Sequence, residues 1–523
     1  MVDIEVETDS NALISQGSGT YFVFVFFITY VISKLLNLAF KKIFTNVLTL
    51  EEMGQYGIFL TASITIITYA TLGLPTALSR FAVTYVNNSN KEKLKNMVFS
   101  GFVLFLVFEI IIVGILLTLY YTIDYHPWFL NIQDQYIFIL LMVIGIVFAQ
   151  VISTICYTLA SALQNGRHYA IPIIMRALLQ IPLSILFVVY FKLGVKGLVI
   201  GLFLSELIVA LYSLFIIMKD LGIGKFSLEE IKAIFKYSFP GYIAGILLTS
   251  FNLFIVAYVD YIFIENAEGK GIISLYQNGA LNIVNFLLII GTAFKVVYPP
   301  ILYKNFEKKN FEEINYITTN VSKLFTIIVI GASIFLFAFS PILINLLTQN
   351  IYLPSIPLIP LLLIASALEL MHPIMTFGYA FYMKTYWQIV AALISIPLAT
   401  IAGFFIIPLN GLLGIGIAYL VFRVLFFVTL FIVSQHYYKI NYDLFMYLRL
   451  FLATILAVGI GIIFYYYVFN PDYGLNLLAS FSISGVLYAF FLVSFRLIKR
   501  ADFDFVKNLG QTFLQIWKSR LAK

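Results

Sequence analysis

A chain of 523 residues that is 62% hydrophobic and only 11% charged, with a mean hydropathy of +0.99, is excluded from the water-soluble class, where about 25% of residues are charged. Its formal net charge of +7 gains meaning only once the charges are placed along the chain. The single cysteine, Cys156, lies in an apolar run; it excludes an intramolecular disulfide and argues against a thiol-ligated metal.

The first 17 residues are polar and acidic (Asp3, Glu5, Glu7, Asp9) and lack the basic n-region of a cleavable signal peptide. They read as a cytoplasmic segment, 1–17. Apolar runs of the roughly 20 residues that cross about 30 Å of hydrocarbon follow. They predict an all-α polytopic membrane protein with fourteen spans, at 20–46, 53–85, 96–121, 135–160, 169–191, 195–218, 233–262, 272–300, 315–348, 356–383, 388–408, 412–434, 445–469 and 475–498. The joins 191–195 and 408–412 are so short that their flanking spans must be antiparallel hairpins. With the N-terminus inside, twenty Lys and Arg fall in cytoplasmic segments and five in outside loops. That asymmetry predicts both termini in the cytoplasm of a multi-pass plasma-membrane protein. The tail 499–523 spaces Phe505, Leu509, Phe513, Ile516 and Trp517 along one helical stripe with basic residues opposite, a pattern suited to the inner leaflet. Its Asp502-Phe503-Asp504 resembles the metal-binding DxD of glycosyltransferases, but nothing around it resembles a nucleotide-sugar site.

The chain carries an internal repeat. At an offset of 220 residues, GQYGIFLTASITIITYATLGLPTALSRF (54–81) aligns with SLYQNGALNIVNFLLIIGTAFKVVYPPI (274–301), matching Tyr56 to Tyr276. Each run ends in a Pro-containing, cation-bearing turn and passes into a short polar basic segment. The repeat spans six helices, an even number, so the halves share one orientation, related by an axis along the membrane normal. The expected organisation is an N-terminal six-helix lobe at 18–218, a cytoplasmic linker at 219–236, a C-terminal six-helix lobe at 237–434, and two further helices at 445–498. Two facing bundles would enclose a central cavity.

No GxxxxGK[ST] loop occurs, which excludes a P-loop ATP-driven pump. His126, His168, His372 and His436 fall in separate segments without metal-ligand spacing, so no metal and no cofactor is expected. The longest outside loop, roughly 122–134, is short for sugar-transfer or polymerase chemistry. Movement of a solute or lipid without catalysis is the expectation.

Ionisable residues within spans usually mark a pathway or a relay. Lys323 and Arg449 lie near the cytoplasmic boundary, where long stems reach water. Arg80 lies about 9 Å from the polar loop at Asn87, so snorkelling and ligand binding both remain open, as they do for Arg176 and Lys295 at comparable depth. Lys34 and Arg423 are mid-span and face either a cavity or a carboxylate; Glu109 and Glu206 are candidate partners. Arg80 and Lys295 occupy the corresponding helix of each repeat. With Arg176 and Lys34 they would form a cationic cavity that binds the phosphate or pyrophosphate of a head group.

The opening SGTYFVFVFFITYVISKLLNLAFKKIFTNVLTLEEMGQYGIFLTASITIITYATLGLPTALSRF resembles that of the polysaccharide-transporter family. These are lipid-linked oligosaccharide flippases, relatives of the lipid II flippase and of the multidrug and toxin extrusion antiporters. The family's acidic-acidic-aromatic-Gly-x-Tyr signature stands as Glu51-Glu52-Met53-Gly54-Gln55-Tyr56, with Met in place of the aromatic residue. Its Leu-Gly-Leu and Arg-Phe elements are Leu72-Gly73-Leu74 and Arg80-Phe81; SFPGYIAG (238–245), Asp260, Leu275-Tyr276 and Tyr298-Pro299 continue the match. The chain departs from the pattern at Asn46 and Tyr261, where the family often carries arginine, and offers Lys41 and Lys42 nearby. The resemblance implies two six-helix lobes alternating between inward- and outward-open states. The implied cargo is a polyprenyl-(pyro)phosphate-linked oligosaccharide moved to the external leaflet. It further implies coupling to a proton or sodium gradient, for which Asp260, Glu369 and His372 are the candidates. Glu369 and His372 share a helical face, so local pairing without coupling is open as well. The partners expected are membrane lipids and the glycolipid, with no nucleic acid and a monomeric chain. A cation-coupled multidrug antiporter, or a glycan polymerase or transferase, are the alternatives.

Overall fold

The computed structural model describes residues 19–87, 90–122, 136–163, 165–263, 268–289, 291, 302, 306, 309–382, 384–440, 444–464, 474–495, 497 and 498. Segment 1–17, tail 499–523 and Lys295 lie outside the described residues. All regular structure among the described residues is helical, as a hydrocarbon environment requires of a chain that must satisfy its own backbone groups. Ten helical stretches among them are long and apolar enough to span a membrane. The protein is an all-helical, multi-pass membrane protein.

The chain divides into two compact units, Met1–Ser274 and Leu275–Lys523. The first contains α1 (Gly19–Val47), α2 (Leu50–Ala70), α3 (Leu74–Asn87), α4 (Lys91–Thr122), α5 (Tyr136–Ala162), α6 (Gly166–Ile185), α7 (Val195–Asp220), α8 (Leu228–Ile262) and α9 (Glu268–Ser274). A π-helical turn, Leu186–Tyr190, prolongs α6. Residues 219–236 take in the end of α7, a short connection and the first turns of α8, which Ser227 caps by accepting from the Glu230 amide.

The run 53–85, expected as one span, is two helices. Between α2 and α3 the backbone turns at Leu72 and Gly73, both at positive φ (50° and 73°). Pro75 then sits in the first turn of α3, where its missing N–H costs nothing. A side chain at Gly73 would also approach the Ser238 side chain to 2.7 Å. The break therefore lets α3 press against α8.

On α7, Gly197, Gly201 and Ser205 recur every four residues, the small-residue spacing that lets helices approach closely. A Cβ at Gly197 would lie 2.8 Å from the Val188 nitrogen, and one at Gly201 2.8 Å from the Ser184 Cα. This contact draws the start of α7 against the π-helical turn and the end of α6.

The second unit begins with a π-helical segment, Leu275–Ala280. It continues with α10 (Phe311–Ala338), α11 (Ser340–Leu347), a 3-10 stretch (Asn350–Leu358), α12 (Ile359–Met375), α13 (Gly378–Phe381), α14 (Trp387–Asn410), α15 (Leu412–Tyr437), α16 (Leu444–Ile463) and α17 (Gly474–Ser494). The runs 315–348 and 356–383 are again interrupted rather than continuous, at Phe339 and at Thr376–Phe377. The C-terminal helices α16 and α17 pack on α10 through Ile327, Met446, Leu450, Ala453 and Leu492. The Tyr488 hydroxyl fastens them by donating to the Ile327 carbonyl at 2.8 Å.

Candidate functional site

Arg80 emerges from the second turn of α3, and its guanidinium carbon lies 4.3 Å from the ring centre of Tyr237 on α8. Phe81 meets the same ring edge-on at 5.8 Å and stacks on Tyr85, whose hydroxyl donates to Glu230 Oε2 at 2.7 Å. Just over one turn beyond Tyr237, the Tyr242 hydroxyl donates to the Tyr69 carbonyl at 2.7 Å. Aromatic rings thus fix the α3–α8 seam and hold the cation by its face. No carboxylate pairs with Arg80 among the described residues, and the side chain is exposed. A guanidinium held in this way keeps its in-plane N–H donors for an oxyanion.

Arg176, on α6, is engaged differently. Its Nε donates to Glu206 Oε1 on α7 at 2.6 Å, and Gln150 Nε2 on α5 donates to the same oxygen at 2.5 Å. Glu206 is fully buried, whereas the Arg176 side chain is 45% exposed. Glu206 Oε2 is buried without a hydrogen-bond partner among the described residues. Tyr56 on α2 and Tyr157 on α5 lie within electrostatic reach of the pair, and Gln180 Nε2 donates to the Tyr56 hydroxyl at 3.2 Å.

Lys34, on α1, is partly exposed, and its ammonium sits 5.3 Å from the Tyr30 ring centre. Lys34, Arg80 and Arg176 therefore stand on three helices of the first unit, each with its own partner. Asp260 is buried near the end of α8 and feels the charges of Lys270 and Glu51.

The signature 51–56 acquires a structural meaning residue by residue. Glu52 completes a capping box with Thr49, accepting from its backbone N–H at 2.9 Å. Glu51 pairs with Lys270 at 3.0 Å. Gly54 lies so close to the Lys270 carbonyl that any Cβ would overlap it. Met53 is buried, and Tyr56 lies within electrostatic reach of the Arg176–Glu206 pair. The motif clamps α2 to α9 and aims one tyrosine at the intramembrane charges.

The second unit holds its own ion pair. Arg423 on α15 donates from Nη2 to Glu369 Oε2 on α12 at 2.7 Å. Phe422 and Tyr419 place ring centres 5.0 and 5.8 Å from the guanidinium carbon, and Arg423 Nε is buried without a hydrogen-bond partner among the described residues. Tyr276, the repeat counterpart of Tyr56, packs on Tyr419 at 6.3 Å and lies within electrostatic reach of this pair. His372 follows Glu369 by one turn and meets the Phe426 ring at 5.5 Å. Of the expected coupling residues, Glu369 and His372 share α12, while Asp260 belongs to the other unit.

Sequence reasoning left the partner of Arg423 open between a cavity and a carboxylate; it is Glu369. Glu206, considered as a partner for Lys34 or Arg423, pairs with Arg176 instead. Gln150 and Tyr237 went unnoticed, since a lone Gln or Tyr in a span carries no local signal. The repeat itself did flag Tyr56 and Tyr276.

Residues 22–303, more than half of the chain, match the family described as polysaccharide biosynthesis protein. The chain belongs to that family. No curated protein matches this family member. Among solved structures, its fold is similar to "Lipid II flippase MurJ, inward closed conformation", with a TM-score of 0.69 at 16% identity over 91% of this chain and 99% of that one. It is also similar to the crystal structure of a MATE point mutant (TM-score 0.59, 13% identity, 82% and 98% coverage). A third likeness is an inward-facing multidrug resistance MATE family transporter of the MOP superfamily (TM-score 0.57, 15% identity, 77% and 94%). At such identities the likeness establishes the fold. By family the chain is a polysaccharide biosynthesis protein, and its fold is the one that these flippase and MATE structures share.

Proposed function

We propose that the protein moves a polyprenyl-(pyro)phosphate-linked oligosaccharide from the cytoplasmic to the external leaflet, for assembly of a cell-surface glycan. Of fourteen spans, six form an N-terminal lobe over 18–218 and six a C-terminal lobe over 237–434, related by a two-fold axis along the membrane normal; two further helices follow at 445–498, and both termini are in the cytoplasm. The lobes alternate in access, driven by a proton or sodium gradient in which Asp260, Glu369 and His372 are the coupling candidates. The head-group anion is met by Arg80 and Arg176, with Lys34 and Lys295 adding positive charge.

The observation that carries this reading is Arg80. An exposed guanidinium held by its face on Tyr237, with no carboxylate partner among the described residues, is suited to a phosphate oxygen rather than to a cationic drug. Depletion of the protein in the native cell tests it: lipid-linked oligosaccharide should accumulate on the inner leaflet while surface glycan falls. Normal surface glycan after depletion would overturn the reading.

A further inference from the structure

Arg176 lies ten residues beyond Gly166 in a 25-residue span, and Glu206 eleven residues beyond Val195 in a 26-residue span, so both are about 15 Å along their helices. At that depth a half-exposed guanidinium facing lipid is strongly disfavoured. Its exposed edge at that depth calls for a space that water and polar ligands can enter, while its Nε is held by a buried carboxylate. That carboxylate is incompletely satisfied. Oε1 accepts from Arg176 and Gln150, and Oε2 has no donor among the described residues. A buried carboxylate oxygen without a donor is costly as an anion and well placed to carry a proton.

We propose that Glu206 is a proton-binding residue whose protonation frees Arg176 to bind an anion, so that proton and anion occupy this site together. The inference rests on the functional reading above and adds how the head group is taken up and let go. With Glu206 ionised, its negative charge neutralises Arg176 and repels an incoming phosphate. A proton taken from water onto Oε2 removes that charge and leaves Arg176 unbalanced, and a phosphate oxygen restores the balance. Loss of the proton reverses both steps, and no covalent bond other than O–H forms or breaks. By linkage, each ligand raises the affinity for the other.

The charged and titratable groups facing Glu206 are Arg176 from α6, Tyr56 from α2 and Tyr157 from α5, with neutral Gln150 beside them. The Tyr157 hydroxyl is hydrogen-bonded to Thr154 at 2.8 Å and that of Tyr56 to Gln180. Tyrosines ordinarily titrate near about 10 and arginine above about 12. That leaves Glu206 as the group of the cluster to which the proposal assigns the proton.

The test is calorimetric titration of the purified full-length protein in detergent with P1,P2-dimethyl pyrophosphate, a diester whose charge is constant from pH 5 to 8. The wild type should bind more tightly as pH falls, by up to about tenfold per pH unit. It should also take up a proton, seen as a binding enthalpy that depends on the buffer's ionisation enthalpy. Glu206→Gln, which mimics the protonated acid in shape, should bind tightly without a pH slope or proton uptake. Arg176→Gln should bind weakly at every pH. Wild-type binding with no pH slope and no proton uptake, or a slope kept in Glu206→Gln, overturns the inference and leaves the flippase reading standing. Absence of wild-type binding at every pH overturns the anion-site reading itself, and the inference with it.

Discussion

The guanidinium of Arg80 rests 4.3 Å above the ring of Tyr237, which joins α3 to α8 through a cation and an aromatic face rather than through an ion pair. The two residues are separated by most of the first unit in sequence, and the turn at Leu72–Gly73 brings them together. A desolvated cation–π contact is worth about 2 kcal/mol, against about 0.5–1 when exposed. If Arg80 grips the cargo, the Arg80→Ala variant should lose most glycan export while folded protein accumulates normally. Tyr237→Phe should retain export and Tyr237→Leu should lose about fivefold, the equivalent of roughly 1 kcal/mol. Surface-glycan quantification together with gel filtration of the extracted protein checks the set. Full export by Arg80→Ala would make the residue a snorkelling side chain.

Gly54 gives a stability prediction independent of transport. A methyl group there would overlap the Lys270 backbone carbonyl, which cannot yield as a flexible side chain would. Gly54→Ala should therefore destabilise the protein by about 1–3 kcal/mol, the usual cost of overpacking. The neighbouring Glu51–Lys270 pair is partly exposed, with side chains 47% and 25% accessible, and pairs of that kind contribute about 0–1 kcal/mol. Lys270→Met should thus barely move the thermal midpoint in detergent, whereas Gly54→Ala should lower it by several degrees.

In the second unit, Glu369 and Arg423 form a pair flanked by rings, with Arg423 Nε buried and without a hydrogen-bond partner among the described residues. Removing one partner from a buried pair costs about 3–5 kcal/mol, while replacing both is often neutral; the partial exposure here, 32% and 17% of the two side chains, reduces both figures. Glu369→Gln and Arg423→Met should each lower the thermal midpoint, and the double variant should recover most of the loss. If export stays low in a double variant whose stability has recovered, the pair serves transport as well as structure. Additive destabilisation would mean that the two charges do not depend on each other.

The ten long apolar stretches among the described residues were legible as spans because a bilayer imposes a length of apolar residues that few other constraints produce. Leu412–Tyr437 and Trp387–Asn410 begin within a residue of expectation and end within about three. The interruptions at Leu72–Gly73 and Phe339 were not read, although Gly73, Pro75 and Pro341 mark them, because hydropathy continues unbroken across them. The ion pairs were harder still. Arg176 and Glu206 are thirty residues apart on helices whose rotation depends on Gly197 and Gly201 meeting α6 and its π-helical extension, and no local pattern encodes that rotation. The 220-residue offset did point to Tyr56 and Tyr276, each of which lies beside an Arg–Glu pair in its own unit.

The orientation can be tested with the chain almost as it stands. Cys156 is the protein's single cysteine and is fully buried in α5, so it should not react with a maleimide in the folded state. A cysteine introduced elsewhere then reports on its own position without a prior cysteine-free background. Lys192, in the short α6–α7 connection, and Lys225, in the α7–α8 connection, are both exposed and lie at opposite ends of α7. With cytoplasmic termini, a membrane-impermeant maleimide applied to intact cells should label Lys192→Cys and leave Lys225→Cys unlabelled until the cells are opened. The charge distribution argues for that outcome, since Lys219, Lys225, Lys232 and Lys236 cluster on the second side against Lys192 and Lys196 on the first. The reverse labelling pattern would invert the protein in the membrane and, with it, the direction in which a head group meets Arg80.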